Sequence, residues 1–219
     1  MNDTRPSETD STVADAGTGR RSARIAPPTL GHPGADDSNQ WRRVVANDSD
    51  AFADVYDRYA NEIYTFCFRR TANWATAEDL TSIVFLEAWR LRSRLKDPAK
   101  LRSWLYGIAL NTLRSQWRAT RRHRHALARL PLEASVTDFG PESDARMDDE
   151  RAMRQILDEL HSLPRRDLEV LSLCVWADMS YEDAAETLSI PVGTVRSRLS
   201  RAKARLAQRA TVRRVADHA

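Results

Sequence analysis

Residues 180–205 read SYEDAAETLSIPVGTVRSRLSRAKAR and predict two short helices joined by a tight turn. The apolar side chains of the first helix recur at the spacing of a buried helical stripe, namely Tyr181, Ala184, Ala185 and Leu188. Ser180 is placed to cap the start of this helix, with Asp183 at its third position. Ser189 and Pro191 then interrupt the pattern, because proline disfavours helical geometry in the residue before it.

The second helix of this pair has an apolar side and a polar side. The apolar side consists of Val195, Leu199, Ala202 and Leu206, and the polar side carries Arg196, Ser197, Ser200 and Arg201. A short helix that projects arginine and serine fits the DNA major groove, where arginine can pair with guanine through two hydrogen bonds. The stretch therefore predicts a helix-turn-helix. A helical hairpin with an ordinary solvated charged face is the alternative.

Composition excludes several classes of protein. The chain of 219 residues allows one or two domains, and it contains no apolar run long enough to span a membrane. We expect no secretory signal, because its first residues contain no apolar segment. Its two cysteines, Cys67 and Cys174, form no metal-binding pair and no disulfide framework. We therefore expect a cytoplasmic protein.

The charges of the chain are segregated. The net charge of +3 conceals basic blocks at 114–129 and 196–214 around an acidic block at 133–150, which indicates two nucleic-acid contacts.

The periodicity of the chain is helical wherever it is regular, so the predicted fold class is all-α, with two small helical domains joined by a flexible acidic linker. We expect a disordered tail at 1–39, a domain of three or four helices at 40–125, a linker at 126–147, a second helical domain at 148–210 and a tail at 211–219.

Two helices of the first domain carry residues that suggest function. The helix predicted over 101–122 sets arginines and an aromatic ring on one stripe: Arg114, Trp117, Arg118 and Arg121. Arginines bind phosphates, and an exposed ring can stack on an unpaired base, although Trp117 could instead pack on a neighbour. The preceding helix carries Asp79 and Ser82 on its outer side, with Phe85 and Trp89 nearby as apolar anchors for a protein partner. Acidic residues that simply complement the helix dipole are the alternative.

Together these blocks resemble an extracytoplasmic-function (ECF) sigma factor, the small class of the sigma-70 family of bacterial RNA polymerase. The sequence AEDLTSIVFLEAW at 77–89 is similar to the family's polymerase-docking helix, and LRSWLYGIALNTLRSQWR at 101–118 is similar to its segment for the promoter −10 element. The region at 171–206 is similar to the domain that reads the −35 element, and its run SIPVGTVRSRLSRAKARL is highly specific.

The resemblance implies three sets of site residues. The docking set, for the clamp coiled coil of the polymerase largest subunit, consists of Asp79, Ser82 and Phe85. The −10 set consists of Lys96, Asp97 and Lys100 in a base-capturing loop, followed by Asn111, Arg114, Trp117 and Arg118 on the helix. A structural hydrogen-bonding role is the alternative for Asn111. The −35 set consists of Thr194, Arg196, Ser197, Ser200 and Arg201, with Thr194 on a backbone phosphate.

The expected partners are therefore core RNA polymerase, through its clamp coiled coil and flap, promoter DNA and an anti-sigma factor. The resemblance implies no small-molecule substrate, and no metal or cofactor is expected. The sequence contains no phosphate-binding glycine loop, no HExxH motif and no nucleophile motif, so we expect no enzymatic activity. Two other functions remain open, a stand-alone helix-turn-helix regulator and an adaptor whose basic faces bind acidic proteins.

Overall fold

The structure is a computed structural model that describes residues 35–127 and 143–216, and the side chains within 38–122 and 145–211. Within these ranges all regular structure is helical, as predicted. The eight α-helices are α1 (Ala35–Val45), α2 (Ser49–Thr71), α3 (Trp74–Arg90), α4 (Leu101–Leu127), α5 (Ser143–Leu160), α6 (Arg165–Leu171), α7 (Tyr181–Leu188) and α8 (Val192–Ala216). We call α1–α4 the first module and α5–α8 the second module.

Several helices extend beyond the boundaries expected from the sequence. Helix α1 begins at Ala35, inside the predicted tail, and α5 begins at Ser143, inside the predicted linker. Helix α8 continues to Ala216, past the predicted end of the second domain. The rest of the predicted tails and linker, at 1–34, 128–142 and 217–219, lies outside the described residues.

The first module is held together by an apolar core between α2, α3 and α4. Its buried side chains include Val55, Tyr59, Ile63, Cys67, Leu80, Val84, Leu105, Ala109 and Leu110.

Polar side chains just before α2 and α3 cap the first turns of these helices. The Asp48 carboxylate accepts hydrogen bonds of 3.0 Å from the amides of Asp50 and Ala51, and Asn73 Oδ1 accepts one of 2.7 Å from the Thr76 amide. Each such cap stabilises a helix by about 1 kcal/mol.

A short polar connection leads from α3 to α4. It contains two single turns of 3-10 helix, Arg92–Arg94 and Pro98–Lys100. Asp97 Oδ1 accepts a 3.0 Å hydrogen bond from the Ala99 amide and so caps the second of these turns. Helix α3 thus ends at Arg90, and the loop that carries Lys96, Asp97 and Lys100 is partly helical.

The second module contains the helix-turn-helix as α7 and α8. Ser180 caps α7 as predicted, with its Oγ accepting a 3.0 Å hydrogen bond from the Asp183 amide. Ser189 ends α7 in the left-handed conformation, at φ 53°, and Pro191 directly precedes α8. Between α6 and α7 the residues Ser172–Trp176 form one π-helical turn. The core of the module comprises Met153, Leu157, Leu160, Leu163, Val170, Leu173, Ala184, Ala185, Val195, Leu199 and Ala202.

Candidate nucleic-acid interface

Helix α8 presents the −35 set on its exposed face. Val195, Leu199 and Ala202 point into the core, so the side chains between them are turned outward. Arg196, Ser197, Ser200 and Arg201 are exposed and Thr194 is half-buried. The structure therefore places the set on one continuous surface of one helix.

Two contacts orient the arginines of this surface. The Arg196 guanidinium lies 5.9 Å from the centre of the Tyr181 ring, a cation–π distance. Tyr181 was predicted to be buried, but it is 37% exposed and lies beside Arg196. Farther along α8, Arg201 Nη2 and Arg205 Nη1 lie 3.6 Å and 3.7 Å from the carboxylate of the buried Asp167. Arg205 is thus an additional cation on this face that was not among the predicted residues, although its position one helical turn after Arg201 indicates it.

The −10 set lies on α4 and on the turn before it. Lys96, Asp97, Asn111 and Arg118 are exposed, and Trp117 is 49% exposed. The centre of the Trp117 ring lies 6.5 Å from that of His161 in the second module. Asn111 Oδ1 accepts a 3.0 Å hydrogen bond from Arg114 Nη1. Asp97 is committed to its capping bond, so the structure gives it a local role in addition to the predicted one.

Arg114 forms a two-point contact with a residue of the second module. Its Nε and Nη2 donate hydrogen bonds of 2.9 Å and 2.7 Å to the two carboxylate oxygens of Glu169. Arg165 Nε donates a third bond to this carboxylate, at 3.2 Å. Burial raises the pKa of Glu169, but the hydrogen bonds and charges of the two arginines outweigh it, so the pKa lies below its ordinary value.

Lys100 also contacts the second module. Its ammonium group pairs with Glu186 and lies 3.8 Å from Asp183, both on α7. The hydrogen bond to Glu186 raises the pKa of Lys100, which therefore stays charged. Two of the seven −10 residues are thus paired with carboxylates of the other module, and a third, Trp117, adjoins it.

Two of the three residues of the docking set are exposed, and the third is buried. Asp79 and Ser82 are exposed on α3, but Phe85 is only 4% exposed because its ring packs between Phe52 and Tyr56. The exposed apolar side chains of α3 are instead Ile83 (43%) and Leu86 (69%).

Ile83 and Leu86 share a face with Asp79 and Ser82, at helical spacing. The sequence contained the signal, because a stripe with Leu80, Val84 and Ala88 buried leaves Ile83 and Leu86 outside. Beside this face, between α3 and α4, is a groove of about 540 Å³ lined in part by Ile83 and Asn111.

The described helices include none that combines the length and the apolar character needed to cross a membrane. Likewise, no cluster of three or more side chains suited to hold a metal ion occurs in the described part of the chain.

Comparison with known proteins identifies both modules. Residues 55–123 match the family described as Sigma-70 region 2, and residues 153–206 match Sigma-70, region 4. The chain is 32% identical over 143 residues to the RNA polymerase sigma factor HrpL of Pseudomonas syringae, covering 65% of this chain and 78% of that protein. It is 30% identical to the ECF RNA polymerase sigma-E factor of Haemophilus influenzae, covering 74% and 88% of the two chains.

Two solved structures share the fold. One is CnrH in complex with the cytosolic domain of CnrY, with a TM-score of 0.61 at 21% identity, covering 80% of this chain and 97% of that one. The other is the sigma factor RpoE of Bartonella quintana in complex with the anti-sigma factor NepR, with a TM-score of 0.55 at 24% identity, covering 74% and 97%. The two matched regions, in this order, and the relatives at 30% identity or more show that this chain belongs to the sigma-70 family and is an ECF sigma factor.

Proposed function

We propose that this sigma factor binds core RNA polymerase through the exposed face of α3 and places α4 on the −10 element and α8 on the −35 element of a promoter. The observation that carries the proposal is the exposed polar face of α8, opposite a buried apolar side, in a chain that also has a region 2 module. A stand-alone regulator is not favoured, because it has no use for that module.

On the polymerase side, the exposed face of α3 supports docking. It combines Asp79 and Ser82 with Ile83 and Leu86 at adjacent helical positions. Apolar side chains at the centre of an interface contribute most of its binding energy, and polar side chains at the rim fix the orientation. We assign the energetic centre to Ile83 and Leu86.

On the DNA side, α8 and α4 have different tasks. The arginines of α8 sit on a helix that fits the major groove of duplex DNA, where they can read base edges. The stripe of α4 combines cations with the half-exposed Trp117, a composition suited to a strand whose bases are unstacked. Capturing such bases offsets an unpairing cost of a few kcal/mol, so the protein helps to open the duplex without covalent chemistry.

The partners follow from the same assignment. Core polymerase and promoter DNA are the obligatory ones, and the protein acts in the cytoplasm. The related Bartonella protein was solved with an anti-sigma factor, which supports an inhibitory protein partner here as well.

Run-off transcription with purified core polymerase and genomic fragments tests the proposal. We expect discrete transcripts only when this protein is added. Core polymerase that neither captures the protein at low salt nor starts at new sites in its presence would overturn it, and tight sequence-specific duplex binding by the free protein would favour the stand-alone regulator.

A further inference from the structure

A cavity of about 220 Å³ lies among α2, α4, α5 and α6. Trp117 and His161 line it and are each about half exposed, so the cavity reaches the surface beside these two rings. The rest of its apolar wall is formed by leucines, namely Leu110, Leu113, Leu157, Leu163 and Leu168. Such a wall favours an apolar occupant over water, because leucine side chains offer water no hydrogen bonds.

The same cavity carries an excess of positive charge. Arg70, Arg114 and Arg165 line it, and the last two both donate hydrogen bonds to the carboxylate of Glu169. Arg70 forms no ion pair with a carboxylate of the described residues, and its Nη1 donates instead to Ser172 Oγ at 2.9 Å. Among these residues three guanidinium groups therefore meet one carboxylate.

Arg70 is the cation of this cavity that lacks a counter-ion. Burial lowers its pKa to about 10, and the like charges of Arg165 and Arg114 act in the same direction, against the attraction of Glu169. The guanidinium stays charged at neutral pH, since that pKa lies well above 7. A buried charge without a counter-charge is costly, so an anion beside Arg70 would stabilise the protein.

We propose that this cavity is a binding site for a small aromatic carboxylate, with the ring among the leucines and the carboxylate on Arg70. The size fits one ring, because an apolar cavity of about 150 Å³ is enough for benzene and this cavity is larger. Arginine binds a carboxylate through two parallel N–H groups, and Arg70 has donors beyond the one given to Ser172. The site is independent of which promoter the protein reads.

A fluorine NMR titration of the full chain with para-fluorobenzoate tests the site directly. We expect saturable binding with a Kd of about 1 mM or less, within the range for a ligand of about ten heavy atoms. Para-fluorobenzamide has the ring without the charge and trifluoroacetate has the charge without the ring, so each should bind at least about tenfold more weakly.

Three outcomes of this titration would overturn the proposal. The first is no saturable binding of para-fluorobenzoate up to about 10 mM. The second is equal binding of the benzoate and the benzamide, because the arginines would then play no part. The third is equal binding of the benzoate and trifluoroacetate, which would show only association of anions with arginines.

Filling the cavity tests where the ligand lies. Leu168→Phe places a larger side chain in the space and should weaken binding of para-fluorobenzoate at least about tenfold. Val45→Phe is the matched control, because it adds a ring at an exposed position of α1, outside the cavity. Unchanged affinity in Leu168→Phe would place the ligand elsewhere and overturn the assignment.

Removing charge tests the role of the arginines. We expect Arg70→Gln to weaken binding of para-fluorobenzoate at least about tenfold and Arg165→Gln at least about threefold. Arg90→Gln is the control, because it removes an exposed arginine of α3. If circular dichroism shows that Arg70→Gln is unfolded, Arg165→Gln decides, since Arg165 is 42% exposed and its loss leaves Arg114 on Glu169. Equal affinities of Arg165→Gln and Arg90→Gln would overturn the proposal.

Discussion

Arg114 and Glu169 join the two modules by a two-point ion pair, with N–O distances of 2.9 Å and 2.7 Å. The pair connects α4, which we assign to the −10 element, with α6, which packs against α8 in the second module. Because one partner is nearly buried and the other is 33% exposed, removing either partner should cost more than at a surface salt bridge and less than in a fully buried pair.

The low pKa of Glu169 predicts a pH dependence of stability. A carboxyl whose pKa is below its unfolded value stabilises the native state above the unfolded pKa, and this contribution is lost as the pH falls through the native pKa. We expect Glu169→Gln to lower the free energy of unfolding by about 1–2 kcal/mol at neutral pH. The difference from the wild type should shrink below about pH 4.5. Urea unfolding followed by circular dichroism measures it, and a difference that grows towards acid pH would contradict the assignment.

Arg201 on α8 should affect promoter use and leave the fold intact. If it reads a base, Arg201→Ala weakens use of a −35-dependent promoter by about 1–3 kcal/mol, or about five- to 160-fold in affinity. The measurement is run-off transcription from a promoter found with the wild-type protein. Lys203→Ala is the matched control, because Lys203 is an exposed cation two residues away, on another face of the helix. Equal losses in both variants would argue for a general electrostatic effect.

The exposed apolar pair of α3 should be required for polymerase binding. Replacing Ile83 and Leu86 by alanine is expected to weaken capture of core polymerase at least about tenfold, since such side chains dominate interface energies. The stability of the free protein should change by no more than about 0.5 kcal/mol, because both side chains are exposed. Ile156→Ala, an equally exposed isoleucine on α5, is the control. Unchanged capture by the double variant would remove α3 from the docking surface.

The cap of α7 should contribute measurably to the helix-turn-helix. Ser180→Ala removes the acceptor of the Asp183 amide and should destabilise the second module by about 1 kcal/mol. Ser180→Thr restores a hydroxyl that can accept from the Asp183 amide and donate to the Asp183 carboxylate, and it should recover most of this loss. Thermal unfolding of the three proteins checks the order, and an alanine variant as stable as the threonine variant would show that the cap is dispensable.

Local features of the fold were predictable because their signals lie within a few residues. The Ser180 cap and the break before Pro191 are both written in the sequence between 180 and 191. The two faces of α8 follow from its apolar spacing alone. The start of α5 at Ser143 was missed because this acidic segment has no apolar stripe of its own until Met153.

Features that depend on distant residues were not predictable. Phe85 was expected on a partner-binding face, but Phe52 and Tyr56 of the preceding helix enclose it. The Arg114–Glu169 pair joins positions 55 residues apart, and no local pattern on α4 indicates which acid would meet the arginine. Contacts of this kind are decided by how whole helices pack.

The two modules are joined by one polypeptide, with only fifteen residues, 128–142, between the end of α4 and the start of α5. A short tether holds two partners at an effective concentration on the order of millimolar. A contact between the modules with a dissociation constant of about 1 mM, measured on separate molecules, would therefore be occupied in about half of the chains. Because this concentration falls as the connection lengthens, the occupancy of the contacts between α4 and α6–α7 depends on chain length as well as on the side chains that form them.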